Sequence, residues 1–98
     1  MTSTHCRVCG WDFGEEPWLD GAPQYLICDC CGAESGVDDL GEQLAVRYLR
    51  WWIDRGCVWT SPAARPPDWR ESSLRAQLGT VGRDLDEVLT HPVPKWKG

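Results

Sequence analysis

Cys6-Arg-Val-Cys9-Gly10 and Cys28-Asp-Cys-Cys31-Gly32 are two copies of one pattern, Cys-x-x-Cys-Gly, with eighteen residues between them. A two-residue spacer lets both sulfurs of a tight turn reach one ion, and the trailing glycine supplies the positive φ that turns backbone amides toward the thiolates. Two such turns facing each other build a sulfur tetrahedron. This is the ligand pattern of a structural zinc site, with Cys6, Cys9, Cys28 and Cys31 holding one Zn2+ per chain. Cys28 with Cys30, or Cys30 with Cys31, also offers a pair of sulfurs, but only Cys28 and Cys31 repeat the spacer and glycine of the first turn. Cys30 therefore reads as a small buried residue or a thiol beside the ligands, and His5 as a surface histidine rather than a substitute ligand.

The same sulfurs suit iron, because a tetrahedral all-sulfur site accepts either metal. Rubredoxins also pair Cys-x-x-Cys-Gly turns and set aromatic residues nearby, as Trp11, Phe13, Trp18 and Tyr25 are set here. More than half of this chain, however, is a tryptophan-rich helical part that electron transfer does not require. Zinc is the first reading, and a rubredoxin-like iron electron carrier the alternative. Catalysis has little support, since four thiolates close the coordination shell whereas catalytic zinc keeps a water position. Cys57 follows an expected helix C-terminus, whose partial negative charge opposes a thiolate, and reads as a buried structural thiol. His91 precedes Pro92 with no serine or acid tied to it by a recognisable spacing. The expectation is a protein that is not an enzyme.

Outward from the cysteines, Trp11-Asp-Phe13 and Gln24-Tyr-Leu-Ile27 read as short strands, with Asp20-Gly-Ala-Pro23 the turn between them. The clearest element is a helix over about 39–55. Asp38 or Asp39 caps it, Glu42 lies in its first turn, Arg50 and Arg55 lie toward its end, and Gly56 takes the left-handed stop. Leu40, Leu44, Tyr48 and Trp52 repeat at i+4, and Ala45, Leu49 and Ile53 widen that stripe into the main core face. Cys57-Val-Trp-Thr60 runs extended, beginning as an edge strand, before Pro62, Pro66 and Pro67 impose a loop. Asp68 then caps a shorter helix with Trp69 and Glu71 in its first turn, Leu74 and Leu78 inward, and its end at Gly79. A last helix over about 83–90 presents Leu85, Val88 and Leu89. The fold class is thus α+β: a small zinc-ribbon-like lobe packed on one main helix, with one or two shorter C-terminal helices. One domain spans 1–90, with a zinc lobe at 5–36 and a helical part at 38–90, and 91–98 form a loose tail.

Composition and charge bound the function. The chain's 98 residues include seven tryptophans and one phenylalanine, so large rings rather than aliphatic layers fill the core. The N-terminus shows no basic and apolar leader pattern, and no apolar run approaches a membrane span, so the protein reads as soluble and cytoplasmic. In that reducing compartment cysteines ligate metal before they form disulfides. Residues 1–49 carry nine acids against two arginines, net −7, while residues 50–98 carry net +2. Four thiolates and one dication take the metal half to about −9. Such a lobe repels phosphate, which disfavours nucleic acid; the alternative of a nucleic-acid-associated zinc-ribbon regulator would have to use Arg65, Arg70, Arg75 and Arg83.

The order Cys6-x-x-Cys9-Gly-Trp11, Pro17-Trp18, Asp20-Gly21, Pro23-Gln-Tyr25, Ile27-Cys-Asp-Cys-Cys-Gly32, Glu34-Ser-Gly36, Arg47-Tyr48, Trp52-Ile53, Gly56, Trp59, Pro62, Pro67, Trp69 and Gln77-Leu78 resembles the bacterial cysteine-rich CPCC family over about 6–78. The proline of that family's CPCC is Asp29 here, which makes the second turn less rigid. The resemblance implies a zinc-binding domain of unassigned biochemical role, with a looser association to small bacterial proteins that neutralise toxins. Protein binding is the function expected from these features together. The acidic lobe over 12–42 suits a basic partner protein, and exposed tryptophans among Trp18, Trp51, Trp59, Trp69 and Trp96 offer a second contact surface.

Overall fold

The computed structural model describes residues 3–94, so Trp96 and positions 95–98 of the expected tail lie outside the described residues. The architecture is a small α+β fold: an N-terminal lobe of turns with a two-stranded sheet, then three α-helices. The sheet pairs β1 (Trp18–Leu19) antiparallel with β2 (Ala22–Pro23), Trp18 opposite Pro23 and Leu19 opposite Ala22. Asp20 (φ 51°) and Gly21 (φ 80°) both sit in the left-handed region, the requirement of a type I′ hairpin turn and the reason Asp-Gly occupies it.

The strands expected at 11–13 and 24–27 shrink to single bridges, His5 with Asp12 and Ile27 with Glu34. Trp11 O closes the first cysteine turn, while Gln24 N–H donates to Pro17 O and Leu26 bonds with Ser35, its N–H to the hydroxyl and its carbonyl from Ser35 N–H. Cys6 N–H donates to Trp11 O at 2.7 Å and Cys28 N–H to Ala33 O at 2.9 Å, which leaves no length for a ladder.

Helix α1 spans Glu42–Asp54, three residues later in its start than its apolar repeat suggests. Gly41 stands at its N-cap without a side-chain bond, and the two aspartates expected to cap it look backward. Asp38 accepts from Glu34 N–H at 3.0 Å; Asp39, buried, accepts from Gly36 N–H at 2.7 Å and from Trp18 Nε1 at 2.8 Å. The amides of Glu34 and Gly36, on either side of the Ser35 N–H that bonds to Leu26 O, take these carboxylates, and a partly buried amide left unpaired costs more than an unfilled cap at an exposed helix start. Leu40 consequently falls before the helix and is 65% exposed rather than part of the core stripe. The C-terminal end follows expectation: Gly56 (φ 91°) N–H donates to Ile53 O and Cys57 N–H to Trp52 O, a Schellman closure.

No strand forms at 57–60; a 3-10 turn at Pro62–Ala64 follows. Helix α2 (Glu71–Gly79) starts after Arg70, whose N–H donates to the Ser73 hydroxyl at 3.2 Å, and not at Asp68, so Trp69 precedes it. Helix α3 is short (Leu85–Val88), capped by the Asp84 carboxylate, and Leu89 lies past its end and exposed rather than inward. Both α1 and α2 pack on α3. Four indoles run edge to face through the centre: Trp11 on Trp59 at 4.8 Å, Trp59 on Trp69 at 5.5 Å, and Trp69 on Trp52 at 6.3 Å. Such pairs add about 1 kcal/mol each beyond their burial. They join the cysteine lobe to α1 and to the segment before α2.

Gly10 shows how tightly the lobe seats on the helices. Its φ is +84°, and a Cβ there would stand 2.0 Å from the backbone oxygen of Gln77 in α2. Gly10→Ala is expected to cost about 3 kcal/mol or more in urea unfolding of the metal-loaded protein, combining left-handed strain with displaced backbone. Gly79→Ala, where nothing lies within 4 Å and the backbone is helical, should be neutral or slightly stabilising. Equal responses of the two variants would contradict this packing.

Candidate metal centre

Both cysteine turns close by the same hydrogen bonds. Gly10 N–H donates to Cys6 O at 2.9 Å, and Gly32 N–H donates to Cys28 O at 2.9 Å. Together with the bonds to Trp11 and Ala33, each turn is thus fixed at both ends in a matched register. Gly10 (φ 84°) and Gly32 (φ 81°) take the left-handed conformation expected of them. Asp29, within the second turn, is anchored from outside: its carboxylate accepts from the Ser61 hydroxyl at 3.1 Å and its carbonyl from Ser61 N–H at 2.9 Å.

The turns bring the sulfurs of Cys6, Cys9, Cys28 and Cys31 within 4.8 Å of one another, all four buried. Cys6 and Cys31 stand 3.8 Å apart and Cys9 and Cys28 stand 3.6 Å apart. A tetrahedral ion with metal–sulfur bonds of about 2.3 Å requires sulfur–sulfur edges of about 3.8 Å, whereas a disulfide would need about 2.05 Å. The quartet therefore has the spacing of a metal site, and its four residues could hold one ion.

Electrostatics point the same way. Hydrogen bonds from Cys28 and then Cys31 pull the Cys6 thiol well below its ordinary value. Burial pushes Cys9 and Cys31 up, and Cys28 rises despite its hydrogen bond with Cys31, because Cys6, Cys9 and burial all oppose its ionisation. Four buried thiolates cannot coexist without a cation among them, so a dication entering the quartet would displace protons as it binds. Tyr48 beside them is raised too, by burial and then by the negative charge at Cys31, and its hydroxyl donates to Cys31 O at 2.9 Å.

The other candidates separate cleanly. Cys30 is buried outside the quartet, and its sulfur accepts from Gln77 Nε2 at 3.4 Å while Gln77 Oε1 accepts from Trp69 Nε1 at 3.2 Å. His5 is half-buried, near Ser3. Cys57 is half-buried, less enclosed than expected, and its thiol is raised by burial. Of the tryptophans considered for exposure, Trp59 is 4% exposed, and Trp18, Trp51 and Trp69 are half-buried. Trp18 carries the Arg7 guanidinium at 4.0 Å over its ring, and Arg55 lies 4.6 Å over Trp51.

Sequence reasoning missed Arg83, which it had placed on a surface for nucleic acid. Its side chain is 7% exposed. Nε donates to Val8 O at 2.9 Å, Nη2 to Arg7 O at 2.6 Å, and Nη1 to Glu42 at 2.7 Å. One guanidinium thus ties the first cysteine turn to the start of α1. Arg75 is likewise spent on Glu71 and Asp86, and both of these acids and Arg75 itself are more exposed than Arg83. No local pattern could have signalled Arg83, whose partners lie 41 to 76 residues away.

Comparison of the chain with protein-family models, with curated proteins and with solved structures finds no match in any of the three. No helix among the described residues is long and apolar enough to cross a membrane.

Proposed function

We propose that this protein is a structural-zinc interaction module, in which Cys6, Cys9, Cys28 and Cys31 hold one Zn2+ and the acidic lobe meets a basic partner protein. The observation that carries the reading is the buried quartet, whose sulfurs all lie within 4.8 Å of one another and two of whose edges, at 3.6 and 3.8 Å, fit a closed four-thiolate tetrahedron. Bound there, zinc would cross-link the two turns in a lobe that has only a two-residue-per-strand sheet of its own. A closed shell leaves no position for substrate, so the module acts through its surface, in keeping with the resemblance to small zinc-binding bacterial proteins and a cytoplasmic immunity or regulatory role.

The surface charge supports a basic partner, after a reduction. Of the acids in the lobe, Asp12, Asp29, Asp38, Asp39 and Glu42 are engaged in holding the fold. Glu15, Glu16, Asp20 and Glu34 make no side-chain hydrogen bond or ion pair with other described residues, and no lysine or arginine lies between residues 8 and 46. These four form the part of the charge that is free to steer association. Changing all four to lysine is expected to preserve metal content and unfolding midpoint within experimental scatter. The same change should slow association with a crosslinked and purified partner at least about tenfold at low salt, and remove most of the salt dependence. An unchanged low-salt rate would leave the acidic face without a role.

A further inference from the structure

Beyond its acids, the cysteine lobe exposes large apolar side chains in one short ribbon. Tyr25 is 59% exposed, Ile27 56% and Val37 47%. They are neighbours: Ile27 bridges Glu34, Ser35 N–H donates to Leu26 O, and the Tyr25 ring and Pro23 both lie against Gly36, the residue before Val37. Exposed apolar side chains grouped on one short segment mark contact sites more often than singly scattered ones do.

A second observation concerns the backbone. Tyr25 has φ 54°, a left-handed conformation costing an aromatic residue roughly 1 kcal/mol, where glycine or asparagine would sit without strain. Gly36 at φ 88° gives the ring its seat, since a Cβ there would lie 3.0 Å from Tyr25 Cε1. The fold thus bears strain to hold a tyrosine ring at the surface. Two acids flank it: Glu34 faces Ile27 across the bridge, and Asp20 occupies the hairpin turn that leads to Pro23, while the nearby Arg7 guanidinium is held over the Trp18 ring.

We infer that Tyr25, Ile27 and Val37 form the centre of the partner interface, and that the partner is a basic protein presenting an aliphatic or aromatic side chain between lysines or arginines. An apolar centre with a charged rim is the anatomy of a specific protein interface, and tyrosine is among the residues that dominate binding at such centres. The inference rests on the basic-partner reading above and specifies its contact site.

The test uses zinc-loaded, 15N-labelled full-length protein titrated with three synthetic peptides of equal length: alternating lysine and leucine, alternating lysine and glycine, and alternating glutamate and leucine. The lysine-leucine peptide is expected to shift the amides of 25–27 and 34–37 and to bind about tenfold tighter than lysine-glycine, with glutamate-leucine not binding. Tyr25→Asn, which suits the left-handed backbone, and Ile27→Thr, which keeps β-branching, should each weaken binding about tenfold, whereas Val58→Thr at an exposed site on another segment should not. Shifts confined to Glu15, Glu16 or other parts of the lobe would overturn this interface and leave the basic-partner reading standing. Equal binding of the glutamate peptide would overturn it by removing the charge argument. A concentration-dependent dimer abolished by Tyr25→Asn would overturn it by making a second copy the occupant. No binding by either lysine peptide would overturn both readings.

Discussion

Cys9→Ser or Cys28→Ser is expected to yield a protein that retains no tightly bound zinc and no cooperative unfolding of the N-terminal lobe, while Cys30→Ser and Cys57→Ser keep both. The size of the effect follows from the balance of energies. A small domain is stable by about 5–15 kcal/mol, and structural zinc binding contributes an apparent 10–16 kcal/mol near neutral pH, so a zinc bound by the quartet would outweigh everything else in the lobe. The lobe's other regular structure is a sheet of two residues per strand and two isolated bridges. Both Cys9 and Cys28 are fully buried, so a serine there leaves a hydroxyl beside the three remaining thiols and no fourth sulfur. Cys30 has the same burial but spends its sulfur on Gln77, and its loss removes one weak hydrogen bond. Metal content after gel filtration with a chelator present, read beside amide dispersion in the NMR spectrum, separates the four variants. Zinc lost from Cys30→Ser but kept by Cys31→Ser would show that the second turn uses a different pair.

The second large effect is expected at Arg83. Arg83→Ala removes the donors to Arg7 O, Val8 O and Glu42 from a side chain that is almost wholly enclosed, and should destabilise the metal-loaded protein by about 3 kcal/mol. Arg83→Lys should recover little of it, because an ammonium cannot span carbonyls of two residues and a carboxylate with a planar fork. The matching change at Arg75, whose ion pairs are exposed, should cost under about 1 kcal/mol. Urea unfolding of the three proteins with zinc in excess measures this. Similar midpoints for Arg83→Ala and Arg75→Ala would show that the clamp contributes nothing.

The difference between these two predictions marks what could be read from the sequence. The quartet was legible because its information is local: spacer, glycine and repeat all lie within five-residue windows. The α-helices were legible as periodic stripes, and Gly56 as a stop, for the same reason. The start of α1 was not, because Asp38 and Asp39 can cap a helix or serve a loop equally well by their chemistry. Which they do is decided by the amides of Glu34 and Gly36 and by the Trp18 indole, groups that only the folded lobe places nearby. The strands at 11–13 and 24–27 failed similarly, since their alternation was real but their backbone bonds went to Cys6, to Pro17 and to Ser35 rather than into a ladder. Arg83 and Gln77 are the extreme cases, each meeting the cysteine lobe from another element across 47 residues or more.

The central claim is that the four sulfurs hold a single zinc ion in a closed shell. X-ray absorption at the metal edge, on protein purified anaerobically without added metal and paired with elemental analysis, tests it most directly. The expected result is one zinc per chain with four sulfur neighbours at about 2.3 Å and no oxygen or nitrogen in the shell. Iron in place of zinc, a shell of three sulfurs with a lighter atom, or protein that folds with no metal would contradict it.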